Sequence, residues 1–271
     1  MDAPVNPYTL EHRPNPPALP GTVFIRPDVD GVVDAIATDL LFQAHACVRE
    51  FGDFHLALSG GSTPEALYRR LMYDPQYREL PWSRTHIWIV DERAVPHDHE
   101  KSNIRMIRGW IGDHADIPRS QVHAMCPVGE NGEQDPRAAR DYERELQEHL
   151  GWREKGHDRL DFTLLGMGGD CHTASLFPRS EAQREGKSLV AWNRGPTVVP
   201  PDRLTMTYPL INASRCVGVM ITGEGKREAI ARVERAHGGG GEGTADVPIL
   251  GVGPLAGEMR WYLDFAACPE S

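Results

Sequence analysis

The sequence predicts an α/β fold in which a mainly parallel sheet carries helices on both faces. Three observations predict it. Short apolar runs at 86–90 ("HIWIV"), Phe162–Leu165 ("FTLL") and Cys216–Ile221 ("CVGVMI") have the length and composition of strands buried on both faces. Between such runs lie segments with the 3.6-residue apolar period of a helix, clearest at 137–150 and 226–237. Strands that alternate with helices pair in parallel, because each crossover helix returns the chain to the same end of the sheet.

Taken in order, residues 1–20 contain six prolines and neither a basic leader nor an apolar segment, so they read as a disordered tail rather than a signal peptide. Thr22–Arg26 reads as the first strand. Val33, Ile36, Leu40, Ala44, Cys47 and Phe51 then recur at helical spacing. Leu56, Ala57 and Leu58 end a second buried strand, and Ala66, Leu67, Arg70 and Leu71 open a second helix. The glycine run at 237–244 ("HGGGGEGT") and the segment 131–136 read as surface loops. No change of composition divides residues 21–271, which are expected to form a single domain.

Bulk composition narrows the function. A net charge of −10 disfavours non-specific nucleic-acid binding and requires any anionic ligand to be met by locally placed Arg and Lys. No apolar stretch is read as approaching the roughly 20 residues that span a bilayer. Five scattered cysteines without CxxC spacing favour a reducing, cytoplasmic compartment.

Four predicted strands end in glycine-rich or charged segments: "SGGSTP" after Leu58, "DER" after Val90, "GMGGDCHTASLFP" after Leu165 and "TGEGK" after Ile221. In a parallel sheet these carboxyl ends share one edge, where open α/β folds bind ligands. In the first segment Gly60 and Gly61 leave bare amides at a helix N-terminus, with either Thr63 as cap before Pro64 or a Ser62–Glu65 capping box. Such an end attracts anions. In the third, Asp170 stands two residues before His172, where a carboxylate orients an imidazole for acid–base work or simply caps the chain. Lys226 enters a helix at its positive end, a position that an anion would offset. Arg93 is either a surface ion-pair partner or a phosphate fork.

Other patterns are incomplete. "GMGGDC" lacks the last glycine of a dinucleotide fingerprint, "GEGKRE" lacks the flanking residues of a nucleotide-binding loop, and no GxSxG elbow occurs. "HDHE" at 97–100 reads as a solvated loop rather than a metal cluster. No cofactor or metal is expected.

In order, "LALSGGSTP", "WIVDERAVPHDHEKSN", "LLGMGGDCHTASLFP", "RLTMTYPLINAS" and "TGEGK" resemble the 6-phosphogluconolactonase family, within the wider group that includes glucosamine-6-phosphate deaminases. "HTASLFP" and "DER" favour the lactonase branch. The resemblance implies a doubly wound, three-layer α/β sandwich and hydrolysis of 6-phosphoglucono-δ-lactone to 6-phosphogluconate in the pentose phosphate pathway. It makes His172 the general base, oriented by Asp170, with no covalent intermediate. Gly60, Gly61, Ser62 and Thr63 would hold the phosphate or the adjoining end of the sugar, with Arg93 and Lys226 as countercharges and Arg203 as a further anion ligand. Asn103 would support the pocket or contact sugar hydroxyls, and Asp91 would orient the base, bind a hydroxyl or serve the strand end. Where the family usually has glycine, Cys171 precedes the histidine. The reading adopted is a packed thiol whose backbone avoids left-handed geometry, the alternatives being a strained turn and a thiol nucleophile. The competing functions are a deaminase or isomerase of amino-sugar phosphates and a sugar-phosphate sensor without turnover. The sequence leaves oligomeric state open.

Overall fold

The computed structural model describes residues 13–129, 131–151, 153–156 and 158–269. Its strands are β1 (Thr22–Arg26), β2 (Phe54–Leu58), β3 (Thr85–Ile89), β4 (Asp91–Arg93), β5 (Val122–His123), β6 (Phe162–Leu165), β7 (Val190–Arg194), β8 (Asp202–Met206), β9 (Cys216–Ile221) and β10 (Glu258–Asp264). The helices are α1 (Val29–Phe51), α2 (Ser62–Tyr73), α3 (Asn103–Ile107), α4 (Ala138–Leu150), α5 (Tyr208–Ala213) and α6 (Arg227–His237).

Seven strands form a parallel sheet in the order β1-β10-β9-β6-β2-β3-β5. From β2 the chain steps outward through β3 to β5, then returns to the other side of β2 as β6 and steps outward the opposite way. Right-handed crossovers in the two halves therefore place their helices on opposite faces. The reversal falls between β2 and β6, which pair through Leu56 with Phe162 and Ala57 with Thr163. A crevice outside their carboxyl ends is the topological switch point. The expected α/β architecture is present, with the four strand-end segments on one edge.

A second sheet was not anticipated: β4, β8 and β7 form an antiparallel trio, with Arg93 opposite Arg203. Its charged, three-residue β4 carries too little periodicity to be read as a strand.

Two expectations need correction. At 23 residues and a mean hydropathy of 1.2 over its most apolar stretch, α1 is long and apolar enough to cross a bilayer by length and composition. In the fold it is a core helix, with Val32, Val33, Ile36, Ala37, Leu40, Ala44 and Cys47 buried. Nor is the whole of 1–20 a detached tail. Residues 1–12 lie outside the described residues, but Leu19 is buried in the core, Ala18 N–H donates to Glu234 Oε1 (2.7 Å), and Trp261 Nε1–H donates to Pro20 O (2.7 Å).

Behind β2 and β6 lies a fully buried carboxylate. Asp161 accepts two bonds from Arg153 (Nη1 to Oδ1 and Nη2 to Oδ2, both 3.0 Å) and one from the backbone N–H of His55 (2.8 Å). This ties the amino ends of the two strands together. Removing one member of a buried pair strands the other charge. Asp161→Asn is therefore expected to lower unfolding free energy by about 3–5 kcal/mol, read from urea denaturation.

On one face, His55, His86 and Trp88 of β2 and β3 and His123 of β5 form a row of rings. His55 stacks on His86 (centroids 4.6 Å apart) and Trp88 on His123 (3.7 Å), with His149 of α4 laid against them. Burial, then the charges of His55 and His123, push His86 down to about 3 from its usual 6.5. Burial also lowers His55, against the pull of Asp53, and His123, against the pull of Glu145. All three folded values are depressed, so these rings contribute stability that is complete above the unfolded value and lost as pH falls. Urea midpoints should drop steadily from about pH 6.5 toward about pH 3, and His86→Phe should flatten that slope.

Candidate active site

A cavity of about 290 Å³ opens at the switch point, bounded by the turns after β2, β6 and β9 and by β4. Ser59 Oγ donates to Leu164 O (2.8 Å), and Tyr68 of α2 donates to Ser59 O (2.6 Å), which locks the end of β2 against β6. Gly60 and Gly61 are glycines for different reasons. A Cβ on Gly60 would lie 1.8 Å from Asn103 Oδ1, whereas Gly61 has φ +100°, which side chains rarely adopt.

The helix start differs from both expected registers. Gly61 itself is the N-cap, Ser62 is the first helical residue, and no side chain caps the end. Turning at Gly61 starts the helix earlier, so the Ser62 and Thr63 side chains belong to the cavity wall rather than to a capping motif. The first-turn amides are left without a capping side chain, at the positive end of the helix dipole.

The turn after β6 carries the second group. Gly168 N–H donates to His172 O (2.9 Å) and Cys171 N–H to Gly168 O (3.0 Å), closing a tight loop. Within it His172 Nδ1 and Asp170 Oδ1 are 2.5 Å apart, and Asp170 Oδ1 also accepts the His172 backbone N–H at 3.1 Å. An ionised carboxylate only accepts, so the hydrogen of the neutral ring is held on Nδ1, which leaves Nε2 as its lone-pair nitrogen. Burial works to raise Asp170, but its hydrogen bond to His172 and the ring's charge outweigh it, and the carboxyl lies below its usual range. Gly168 makes this geometry possible: a Cβ there would lie 2.2 Å from His172 Nδ1 and 2.7 Å from Asp170 Oδ1.

Cys171 departs from expectation in its backbone. Its φ of +67° is left-handed, a conformation costing a side-chain residue about 1–2 kcal/mol. The loop's two hydrogen bonds hold it there. The thiol is fully buried, its Sγ lies 3.6 Å from Ala229 O, and burial pushes it up to about 11, so the packed-thiol reading stands and a thiolate nucleophile does not.

Cationic groups flank the two turns. Lys226, the cap residue of α6, reaches across to Met167 O (Nζ to O, 2.6 Å) and lines the cavity. Arg93 lines it too, donating to Asn103 Oδ1 and to Lys101 O (3.1 Å). Asn103 in turn donates to Asp91 O (2.6 Å), so it braces Arg93 while bordering the cavity. Asp91 borders the cavity and accepts from Ser175 Oγ (2.6 Å), which leaves Asp170 as the carboxylate bound to the imidazole.

Nine of the eleven residues singled out in the sequence line this one cavity: Gly60, Gly61, Ser62, Thr63, Asp91, Arg93, Asn103, His172 and Lys226. Asp170 stands behind His172. Arg203 is not on the wall. It is buried in β8 across from Arg93, with Nη1 unpartnered, and burial lowers it despite Asp91. Sequence reasoning missed Glu92, fully buried, whose carboxylate accepts N–H groups from Arg93 (2.8 Å), Asn103 (2.7 Å) and Ile104 (2.8 Å). An acid in "DER" followed ten residues later by "SN" was the available signal. The "HDHE" segment is otherwise engaged, with His97 Nε2 against Met125 O at 2.8 Å and His99 Nδ1 accepting from Lys101 N–H at 3.0 Å.

Known proteins share this sequence pattern and this fold. Residues 27–261 match the family model described as glucosamine-6-phosphate isomerases/6-phosphogluconolactonase. A 6-phosphogluconolactonase from Nostoc sp. is 36% identical over 256 residues, covering 92% of this chain and 98% of that protein. The human GDH/6PGL endoplasmic bifunctional protein is 37% identical over 239 residues, 87% of this chain, which spans only 29% of that relative's length. Among solved structures, 6-phosphogluconolactonase from Leishmania guyanensis superposes with a TM-score of 0.75 at 28% identity, covering 91% of this chain and 97% of that one. A parallel sheet that reverses at β2 and β6, an anion-attracting helix end and a facing Asp–His turn thus sit in a chain whose sequence and fold agree, and it belongs to the glucosamine-6-phosphate isomerase/6-phosphogluconolactonase family.

Proposed function

We propose that the chain hydrolyses 6-phosphoglucono-δ-lactone to 6-phosphogluconate. The observation that carries this reading is the His172 ring, held 2.5 Å from Asp170 Oδ1 through its Nδ1, in the same cavity as the uncapped start of α2. The substrate phosphate rests on the amides and hydroxyls of the Gly60–Thr63 turn, with Arg93 and Lys226 supplying positive charge. Arg203 acts through the field behind Arg93 rather than by contact.

With the phosphate anchored, the lactone carbonyl lies toward His172. Nε2 takes a proton from water as the water oxygen bonds to the carbonyl carbon. The tetrahedral oxyanion then collapses, the ring C–O bond breaks, and the imidazolium returns its proton to the departing ring oxygen. The new carboxylic acid loses its proton to solvent. Asp170 keeps the ring in the required tautomer and stabilises the imidazolium formed midway. All five cysteines are unpaired thiols, which supports a reducing, cytoplasmic setting.

Two outcomes test the assignment in a pH-controlled lactone assay with spontaneous opening subtracted. His172→Ala should lose about 10²–10⁴ in kcat while still binding 6-phosphogluconate, whereas Lys226→Ala should mainly raise KM. Normal turnover by folded His172→Ala removes the proposed base. Gly168→Ala should displace the imidazole and cut kcat about a hundredfold, with urea denaturation confirming that the fold survives.

A further inference from the structure

The row of histidines on the β2-β3-β5 face is not absorbed by the lactonase reading. None of its members lines the cavity, and His55 and His86 sit near the amino ends of β2 and β3. Two groupings within it have ligand atoms within 4.8 Å of one another: His86, His123 and His149, and Asp53, His55 and His86.

Hydrogen bonding decides between them. Trp88 Nε1–H, which can only donate, points at His55 Nδ1 (2.9 Å). The neutral His55 ring therefore carries its hydrogen on Nε2, which faces Asp53 at 3.4 Å and makes no hydrogen bond. Both His55 nitrogens are thus unavailable to a cation. His123 is the opposite case. Its Nδ1 lies 2.6 Å from Glu145 Oε1, and the carboxylate fixes the hydrogen on Nδ1, leaving the Nε2 lone pair directed at His86 Nδ1 (2.9 Å). A carboxylate behind a histidine is the outer partner that metal-ligating imidazoles usually have.

We propose that His86, His123 and His149 form a site for a divalent transition-metal cation of the zinc type, joining α4 to β3 and β5. Three imidazoles suit zinc, copper or nickel rather than the oxygen-seeking magnesium or calcium. The fourth position is left to water, as in other three-histidine sites. Bonds of about 2.0–2.1 Å in tetrahedral geometry separate nitrogens by roughly 3.3 Å, so His86 and His123 open by less than half an ångström from their present 2.9 Å. The Nδ1 hydrogen of His86 moves to its Nε2 by exchange with water, and each ligand stays a neutral imidazole. Partly buried His86 and His149 give the cation its entrance, while buried His123 forms the floor.

The test uses the full chain stripped with EDTA, titrated with Zn²⁺ by calorimetry and assayed for retained zinc after gel filtration. Wild type should retain one equivalent and gain thermal stability on loading. Glu145→Ala should weaken binding about 10- to 100-fold, and His149→Ala, outside the cavity, should weaken it further while leaving lactone turnover unchanged. Wild-type affinity in both variants overturns the proposal. So does loss of binding in His172→Ala with retention in His149→Ala, which would place the metal at the catalytic cavity.

Discussion

The pairing of β2 with β6 is the constraint from which the rest follows. These strands are distant in sequence, and their parallel register at Leu56–Phe162 and Ala57–Thr163 sets two glycine turns side by side at one sheet edge. One turn opens a helix whose dipole attracts anions; the other holds an imidazole on a carboxylate. The Asp161 carboxylate at the amino end and the Ser59–Leu164 bond at the carboxyl end fasten the pair at both limits. A slip of one residue would turn the slipped strand's side chains to the opposite face and separate the start of α2 from the His172 ring.

Steric economy within the turns is equally tight. Gly60 yields its side-chain volume to Asn103, which braces Arg93, and Gly168 yields its own to the His172 ring. The small residues thus set where the functional ones stand. Glu92 performs the corresponding task from below, gathering three backbone amides so that β4 and the start of α3 keep a fixed relation.

Much of this was legible because buried parallel strands write themselves as unbroken apolar runs. "HIWIV", "FTLL" and "CVGVMI" could be placed, and the polar groups following them fell on one edge by topology alone. The β4-β8-β7 sheet was not legible, since β4 is three charged residues long and pairs with β8 across more than a hundred residues of chain. Arg203, expected from the resemblance as a further anion ligand, is buried in that sheet opposite Arg93. The start of α2 was misread by local propensity, which favoured hydroxyl caps where the positive φ of Gly61 prevails. Cys171 was misread similarly, because the loop's hydrogen bonds outweigh the intrinsic preference of a residue with a Cβ.

Cys171 gives the Asp170–His172 turn a divided thermodynamic character. Its Cβ is disfavoured in the native loop, yet the same atom removes conformers from the denatured chain that glycine would leave accessible, and its sulfur fills space beneath α6. The two effects oppose each other at a single carbon beside His172. A change from cysteine to glycine here would consequently trade loop rigidity against backbone ease.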